Sequence, residues 1–329
     1  MHTARSASTF SDITHWRRGL VSDCAAFSWK TKEFFMYGKR EYAQINALLN
    51  KKLEEKKHLI AVHRGSWHGN IIQNTVPSYI AAIKMGADMV ECDLEISTDG
   101  KLFSFHGNHE QDVLGTTKPI TMMSAAEIKS ITPHNCYTLI SDMRLNTLEE
   151  ILDFLPEGIL LNIDRSWDKF PQVLEVLDRY PKALTHVLLK APMKATQALE
   201  ILQKHPVKYM FMPICYTAAD VEAALSWQDI NTVGAEIITS TAQDELYQDA
   251  VIADIHNKGL FCWVNALSLG DYGHDYLPRR SLFGDLADDI SVIQNPDLGW
   301  GKLMEKKIDI IQTDWPAILR DYREQRSQK

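Results

Sequence analysis

From residue 58 onward the sequence repeats one unit, a short apolar run of strand length followed by an amphipathic stretch with helix signals. The apolar runs are "LIAVH" (59–63), "DMVECDL" (88–94), "LFSFH" (102–106), "ILLNID" (159–164), "HVLLK" (186–190), "YMFMP" (209–213), "GAEII" (234–238), "LFCWVN" (260–265) and "IDIIQTD" (308–314). Helix punctuation falls between them: Pro77 near a start and Gly86 near its end, Thr147 with Glu150 as a capping box, and Thr217 ahead of "AADVEAAL". Strands joined through helices run parallel, and a series of this length favours a closed (β/α)8 TIM barrel over an open doubly wound sheet. Nine runs compete for eight places, so the 102–106 run is expected to be the return arm of a hairpin above the barrel rim.

That hairpin carries the first chemical signal. In "VECDLEISTDGKLFSFHG" (90–107) the Asp99-Gly100 pair marks a tight turn. Counting outward from a two-residue turn pairs Thr98 with Lys101 and Asp93 with His106. Glu91 and Asp93 then share one strand face, with His106 opposite them. Two carboxylates at that spacing repel unless a cation lies between them, so the stretch reads as a divalent metal site beside a proton carrier. The alternative reading is a solvated polar hairpin with nothing bound.

The barrel assignment places the C-terminal strand ends at one mouth, where chemistry in this architecture is found. His63, Arg64, Glu91, Asp93, Asp164, Lys190, Glu236 and Asn265 all fall there. A guanidinium beside an imidazole suits a phosphate, the first forking onto two oxygens and the second moving a proton. Glu91, Asp93 and Asp164 are hard oxygen donors of the kind that hold Mg²⁺ or Ca²⁺. Lys190 offers a second positive charge for a phosphoryl oxygen, or an ion pair with a neighbouring acid. Trp67, in a loop, and Trp263, on a strand, are candidates for the organic side of a substrate, with a core role for Trp263 as the alternative. His68 and His109 read as surface residues beside the motif histidines.

Composition narrows the function class. The net charge of -8 over 329 residues argues against tracking a nucleic-acid backbone. Cys24, Cys92, Cys136, Cys215 and Cys262 are scattered without metal-ligand spacing and read as reduced thiols. No run reaches the ~18 apolar residues of a membrane span, and the first residues lack an apolar signal core, so a cytoplasmic protein is expected. Residues 1–57 are expected to form an N-terminal helical extension to a barrel spanning 58–325. The long connections 107–146 and 266–298 are expected to be lids or binding loops.

The segments "HRG…QNT…GADMVECDLEISTDGKLFSFH", "WVN" and "TDWPAIL" resemble, in order and spacing, the glycerophosphodiester phosphodiesterase family. The resemblance implies a TIM barrel that uses a divalent metal (Mg²⁺ or Ca²⁺, with Mn²⁺ also admitted) and two histidines to hydrolyse a small phosphodiester to a phosphomonoester and an alcohol. Carried over by position, it implies His63 and His106 as the acid/base pair, Arg64 as a phosphate contact, and Glu91 and Asp93 as metal ligands. Asp164 and Lys190 match a subset of the family that pairs an Asp third ligand with a Lys on the following strand. Glu236, Trp67 and Trp263 join Arg64 and Lys190 as expected substrate contacts. The sequence departs from the usual pattern at Gln73, where a Glu is common, and at Gly107, where an Asp follows the histidine. Two other readings stand beside hydrolysis: a lyase that ends in a cyclic phosphate, and a barrel that binds a phosphoglycerol compound without turnover.

Overall fold

Alternation along each apolar run decides what faces inward, and the computed structural model shows the consequence for residues 36–135, 142–239, 241–267 and 287–328, the residues described here. The strands are β1 (Leu59–Val62), β2 (Met89–Ile96), β3 (Leu102–Ser104), β4 (Leu160–Asp164), β5 (Val187–Pro192), β6 (Met210–Cys215), β7 (Asn231–Thr232), β8 (Gly234–Ile237), β9 (Phe261–Asn265) and β10 (Ile310–Thr313). Eight of them run parallel in the order β1-β10-β9-β8-β6-β5-β4-β2, and β1 also pairs with β2, which closes the barrel. β3 is the antiparallel return arm on β2, and the two-residue β7 pairs with β6 just before β8. Cys92, Cys215 and Cys262 are buried free thiols; Cys24 and Cys136 lie outside the described residues.

One parity of each strand fills the barrel interior with Leu59, Ala61, Met89, Leu160, Leu188, Met210, Phe261, Trp263 and Ile310. The other parity, including Ile60, Val90, Leu161, Ile163, Val187, Leu189, Phe211 and Val264, packs outward against the helices. Glycine is needed at Gly234, because a Cβ there would lie 2.3 Å from the Phe261 ring. The helix Ala47–Lys56 closes the lower end with Leu49 and Leu53, which belong to the interior cluster. Two residues further along the same inward parity come Glu91, Asn162, Lys190, Glu236, Asn265 and Gln312, all buried. The apolar lower layers therefore sit under a polar upper layer that opens at the C-terminal mouth.

The hairpin register differs from the sequence expectation by one residue. The loop is Thr98-Asp99-Gly100: Gly100 N–H donates to the Ser97 carbonyl at 3.0 Å, Ser97 N–H donates to the Lys101 carbonyl at 2.9 Å, and Gly100 has φ +82°. This is a type I turn completed by a left-handed glycine, and it makes the loop one residue longer than a two-residue turn. Asp99 selects it, its Oδ1 accepting from Ser97 Oγ at 2.6 Å and from Ala125 N–H at 2.9 Å. Ser97, not Thr98, is opposite Lys101, and Phe105 N–H donates to the Asp93 carbonyl at 3.1 Å, so His106 is not the cross-strand partner of Asp93. A one-residue slip moves every following side chain to the other face. Because β3 stops at Ser104, His106 is placed by irregular backbone beyond the ladder, and that backbone returns the ring to the mouth.

The connection after β3 has a core of its own, with Ile72, Phe103, Phe105, Val113, Leu114, Ile120, Met123, Ile128 and Leu145 packed together. It carries the short helices Glu110–Leu114, whose Asp112 and Val113 line the cavity at the mouth, and Ala125–Ser130, whose first N–H meets Asp99 of the hairpin. Residues 136–141 of this connection and 268–286 of the later one lie outside the described residues.

At the lower end Asp88 is fully enclosed. It accepts from Arg323 Nη1 at 2.6 Å and from Ile60 N–H at 3.1 Å, with Lys56 and Lys52 also paired to it. Burial pushes its carboxyl upward, but Arg323 and Lys56 outweigh burial and hold it below the usual range. Arg323→Met should lower stability by about 3 kcal/mol near neutral pH, the low end for breaking a buried pair, since the two lysines remain. A depressed carboxyl contributes stability above its unfolded pKa and loses it as pH falls through the folded value. Urea unfolding of both proteins should therefore converge in acid, and a gap that persists there would show that packing rather than charge carries the effect.

Candidate active site

Strand parity and two neighbouring strands, β2 and β4, bring Glu91, Asp93 and Asp164 together, with one oxygen of each lying within 4.8 Å of the others. β2 and β4 are in register, Glu91 opposite Asn162 and Asp93 opposite Asp164. Glu91 lies deepest and accepts the Arg64 backbone N–H at 2.9 Å. That bond needs the left-handed turn after β1, where Arg64 has φ +55° and Gly65 φ +72°. A Cβ on Gly65 would sit 2.6 Å from the Ser78 backbone, so the close approach there requires glycine. Asp93 accepts from Asn74 Nδ2 at 2.9 Å and returns a backbone N–H to Asn74 Oδ1 at 3.1 Å.

Electrostatics separate these acids. Burial raises Asp93, yet Arg64, whose Nε is 3.2 Å away, together with His106 and His63 holds its carboxyl well below the usual range. Glu91 goes the other way, pushed far up by burial and by the charges of Asp93 and Asp164, with Lys190 and Arg64 only partly opposing. A buried carboxylate that lacks enough positive charge, in a set of three oxygen donors, fits a hard divalent cation. Among the described residues a second group, His256, Cys262 and Asp309, has comparable spacing at the opposite end of the barrel. There Asp309 already accepts from Tyr37 OH, His256 Nε2 and the Cys262 N–H.

Lys190 pairs with Asp164 at 2.8 Å and with Glu236 at 3.2 Å. Burial lowers its ammonium, but Asp164, Glu236 and Glu91 outweigh burial and keep it charged. Glu236 is held in turn by Asn265 Nδ2 at 2.7 Å, and Asn265 Oδ1 accepts the Trp263 indole N–H at 2.8 Å. Trp263 therefore lies beneath the site, fully buried, its ring 5.8 Å from Lys190 Nζ, and it does not line the cavity above. Its core role is the one the strand pattern also allowed.

The cavity at the mouth has a volume of about 690 Å³. His63, Arg64, Trp67, Asp93, His106, Asp164, Lys190 and Glu236 line it, and Glu91 sits below its floor. His106 Nδ1 is 2.8 Å from the Gly107 carbonyl, an acceptor only, so Nδ1 carries the proton and Nε2 keeps a lone pair. Burial, reinforced by Arg64, Arg165 and His109 against the pull of Asp93, lowers the His106 ring to about 4. His63 faces Asp314, with Nδ1 to Oδ1 at 3.5 Å. Gln73 Oε1 accepts from Arg64 Nη1 at 2.9 Å, so a neutral amide stands where a carboxylate is common and leaves the guanidinium charge uncancelled on that side.

Several lining residues were not singled out from the sequence. Arg165, with φ +47°, follows Asp164 and brings Nε to 3.8 Å from Asp93. Its signal was its place one residue beyond a strand-end carboxylate. His109 is buried, edge-on to His106 at a ring separation of 4.6 Å, rather than a surface residue. Trp167, Tyr216 and Asp314 also line the cavity. His68 is stacked between Trp67 and Trp315 at 5.8 and 5.7 Å and does not line it.

The model of the glycerophosphoryl diester phosphodiesterase family matches residues 63–263, and a domain of unknown function matches residues 211–323. A glycerophosphodiester phosphodiesterase of Bacillus subtilis is 30% identical over 138 residues, which span 38% of this chain and only 46% of that relative. A glycerophosphoryl diester phosphodiesterase from Parabacteroides distasonis superposes with a TM-score of 0.64 at 16% identity, covering 82% of this chain and 86% of its own. A phosphodiesterase from Oleispira antarctica, in complex with the product sn-glycerol-3-phosphate, gives 0.56 at 18% identity, covering 81% and 96%. At these identities the solved structures establish the barrel fold, and the family match over residues 63–263, the segment that contains the carboxylate cluster and both histidines, establishes the rest: the chain belongs to the glycerophosphoryl diester phosphodiesterase family.

Proposed function

We propose that this protein is a metal-dependent hydrolase of a glycerophosphodiester or similar small diester, with His63 and His106 as its proton carriers. The observation that carries the reading is the convergence of both histidines, Arg64 and the Glu91, Asp93 and Asp164 carboxylates on one mouth. The sn-glycerol-3-phosphate described as the product of the Oleispira relative supports a glycerol phosphodiester as substrate. A cation held by the three carboxylates would supply charge neutralisation at the phosphoryl oxygens. The chain's own groups do the rest. Arg64 donates to a non-bridging oxygen, more strongly as charge grows there. One imidazole takes the proton of the attacking water as the new P–O bond forms, and the other gives a proton to the departing alcohol oxygen as the old bond breaks. Trp67, Trp167 and Tyr216 offer flat surfaces to the alcohol portion.

The test is ³¹P NMR of the products after incubation with glycerophosphocholine, glycerophosphoethanolamine and glycerophosphoinositol. A phosphomonoester resonance is expected. A cyclic phosphate as end product would make the protein a lyase, and binding without turnover would make it a carrier. Chelation should abolish turnover, and Mg²⁺, Mn²⁺ or Ca²⁺ should restore it, because the donors are all oxygens. Full activity in metal-free protein would remove the role assigned to the carboxylates.

A further inference from the structure

We propose that Asp314 and Asp288 act in series as positioning residues for His63, Asp314 holding the imidazole by Nδ1 and Asp288 holding Asp314. The inference rests on the hydrolase reading and extends it to two acids that the metal site does not use. Val62 and Thr313 are register partners in the parallel β1–β10 pair, so the next residues on the two strands, His63 and Asp314, emerge side by side at the mouth. Asp314 Oδ1 is buried and has no hydrogen-bond donor among the described residues, while His63 Nδ1 lies 3.5 Å away. A buried carboxylate oxygen without a donor is costly, and the imidazole N–H is placed to satisfy it. Separations of this kind commonly shorten once substrate is bound.

Behind this pair lies Asp288, fully enclosed at the start of the helix Asp288–Ile293 and outside the cavity lining. Its Oδ2 accepts the Asp314 backbone N–H at 2.9 Å and the Thr313 hydroxyl at 2.8 Å, and its Oδ1 accepts the Trp300 indole N–H at 2.6 Å. Thr313 Oγ1 in turn accepts the Trp315 N–H at 2.9 Å, so the turn after β10 is tied on both sides of Asp314. A side chain sealed from the cavity cannot meet substrate, but one that fixes the Asp314 backbone sets where its carboxylate points. With Nδ1–H directed at Asp314, Nε2 is the nitrogen left to exchange a proton with water or the departing oxygen, accepting one when the ring is neutral and giving one when it is the imidazolium. Asp314 itself neither gains nor loses a proton, and it stabilises the imidazolium formed in passing.

The test combines a double-mutant cycle with nitrogen NMR on the full chain. Asp314→Ala should lower kcat by on the order of 10²-fold or more, with KM within a few-fold and bound metal unchanged. Asp288→Asn should lower kcat by roughly 10-fold alone and add nothing in the Asp314→Ala background, because the group it positions is then gone. Additive losses in the cycle, or wild-type kcat in Asp314→Ala, overturn the proposal. If Asp288→Asn does not fold, Trp300→Phe, which removes one donor to Asp288, takes its place in the cycle. Independently, ¹⁵N shifts of His63, identified by comparison with His63→Gln, should show the Nδ1–H tautomer in wild type and a mixture in Asp314→Ala. An Nε2–H tautomer in wild type overturns the proposal whatever the rates. If wild type hydrolyses none of the three diesters, the functional reading fails, and the tautomer measurement still decides this one.

Discussion

Alanine at His63 or at His106 is expected to lower turnover by on the order of 10²–10⁴-fold with divalent-cation binding retained, whereas Asp93→Ala should lose cation binding as well as rate. This is the expected result because the residues stand on different supports. The imidazoles line the cavity, and neither belongs to the trio of oxygens that come within 4.8 Å of one another. His106 is neutral near pH 7, its ring lowered to about 4 chiefly by burial, and its Nδ1 proton is committed to the Gly107 carbonyl. Only Nε2 is left to accept a proton. Asp93 is already ionised, oriented by Asn74 and faced by Arg64, which suits the proposed ligand role rather than proton transfer. Initial rates and metal content of the three purified variants check the division. Near wild-type turnover in His106→Ala would transfer the proton role to His109, whose ring centre is 4.6 Å away.

Lys190→Met is expected to cost the metal-free protein about 3–5 kcal/mol of stability, the range for removing one partner from a buried ion pair. Its ammonium is enclosed between Asp164 and Glu236, and the charge of Glu91 also acts on it. Methionine fills similar space and leaves those acids with no cation of the protein's own on that side. A saturating divalent cation held by the proposed site would stabilise the folded state and replace part of the lost charge, so the deficit should narrow when metal is added. Urea unfolding with chelator and with excess Mg²⁺ measures both values. An identical deficit in the two conditions would separate Lys190 from the carboxylate cluster and leave it as the partner of Glu236 alone.

The extent to which the site was legible follows from periodicity. Once 59–63, 88–94 and 159–164 are strands of one barrel, their period of two puts His63, Glu91, Asp93 and Asp164 on inward positions at the same end, with no further information. Lys190, Glu236 and Asn265 follow by the same count on their own strands. Trp263 obeys it too, but two residues nearer the N-terminal end of its strand, in the apolar layer, which is why it supports the site from below.

Residues outside that alternation could be placed only by the folded chain. The turn chosen by Ser97, Asp99 and Gly100 shifts the hairpin register by one, and the path of irregular backbone after Ser104, rather than a cross-strand pairing, brings His106 to the mouth beside a buried His109. Arg165 reaches Asp93 through a left-handed backbone turn. Asp314 meets His63 across 251 positions of sequence because the last strand closes the barrel on the first. The sequence by itself determined the closed β/α architecture and the ring of polar side chains at its mouth, since alternation within a strand is a local property. Tertiary structure decided the hairpin register and the partners of the two histidines, since these depend on the turn geometry and on barrel closure, neither of which a periodic pattern records.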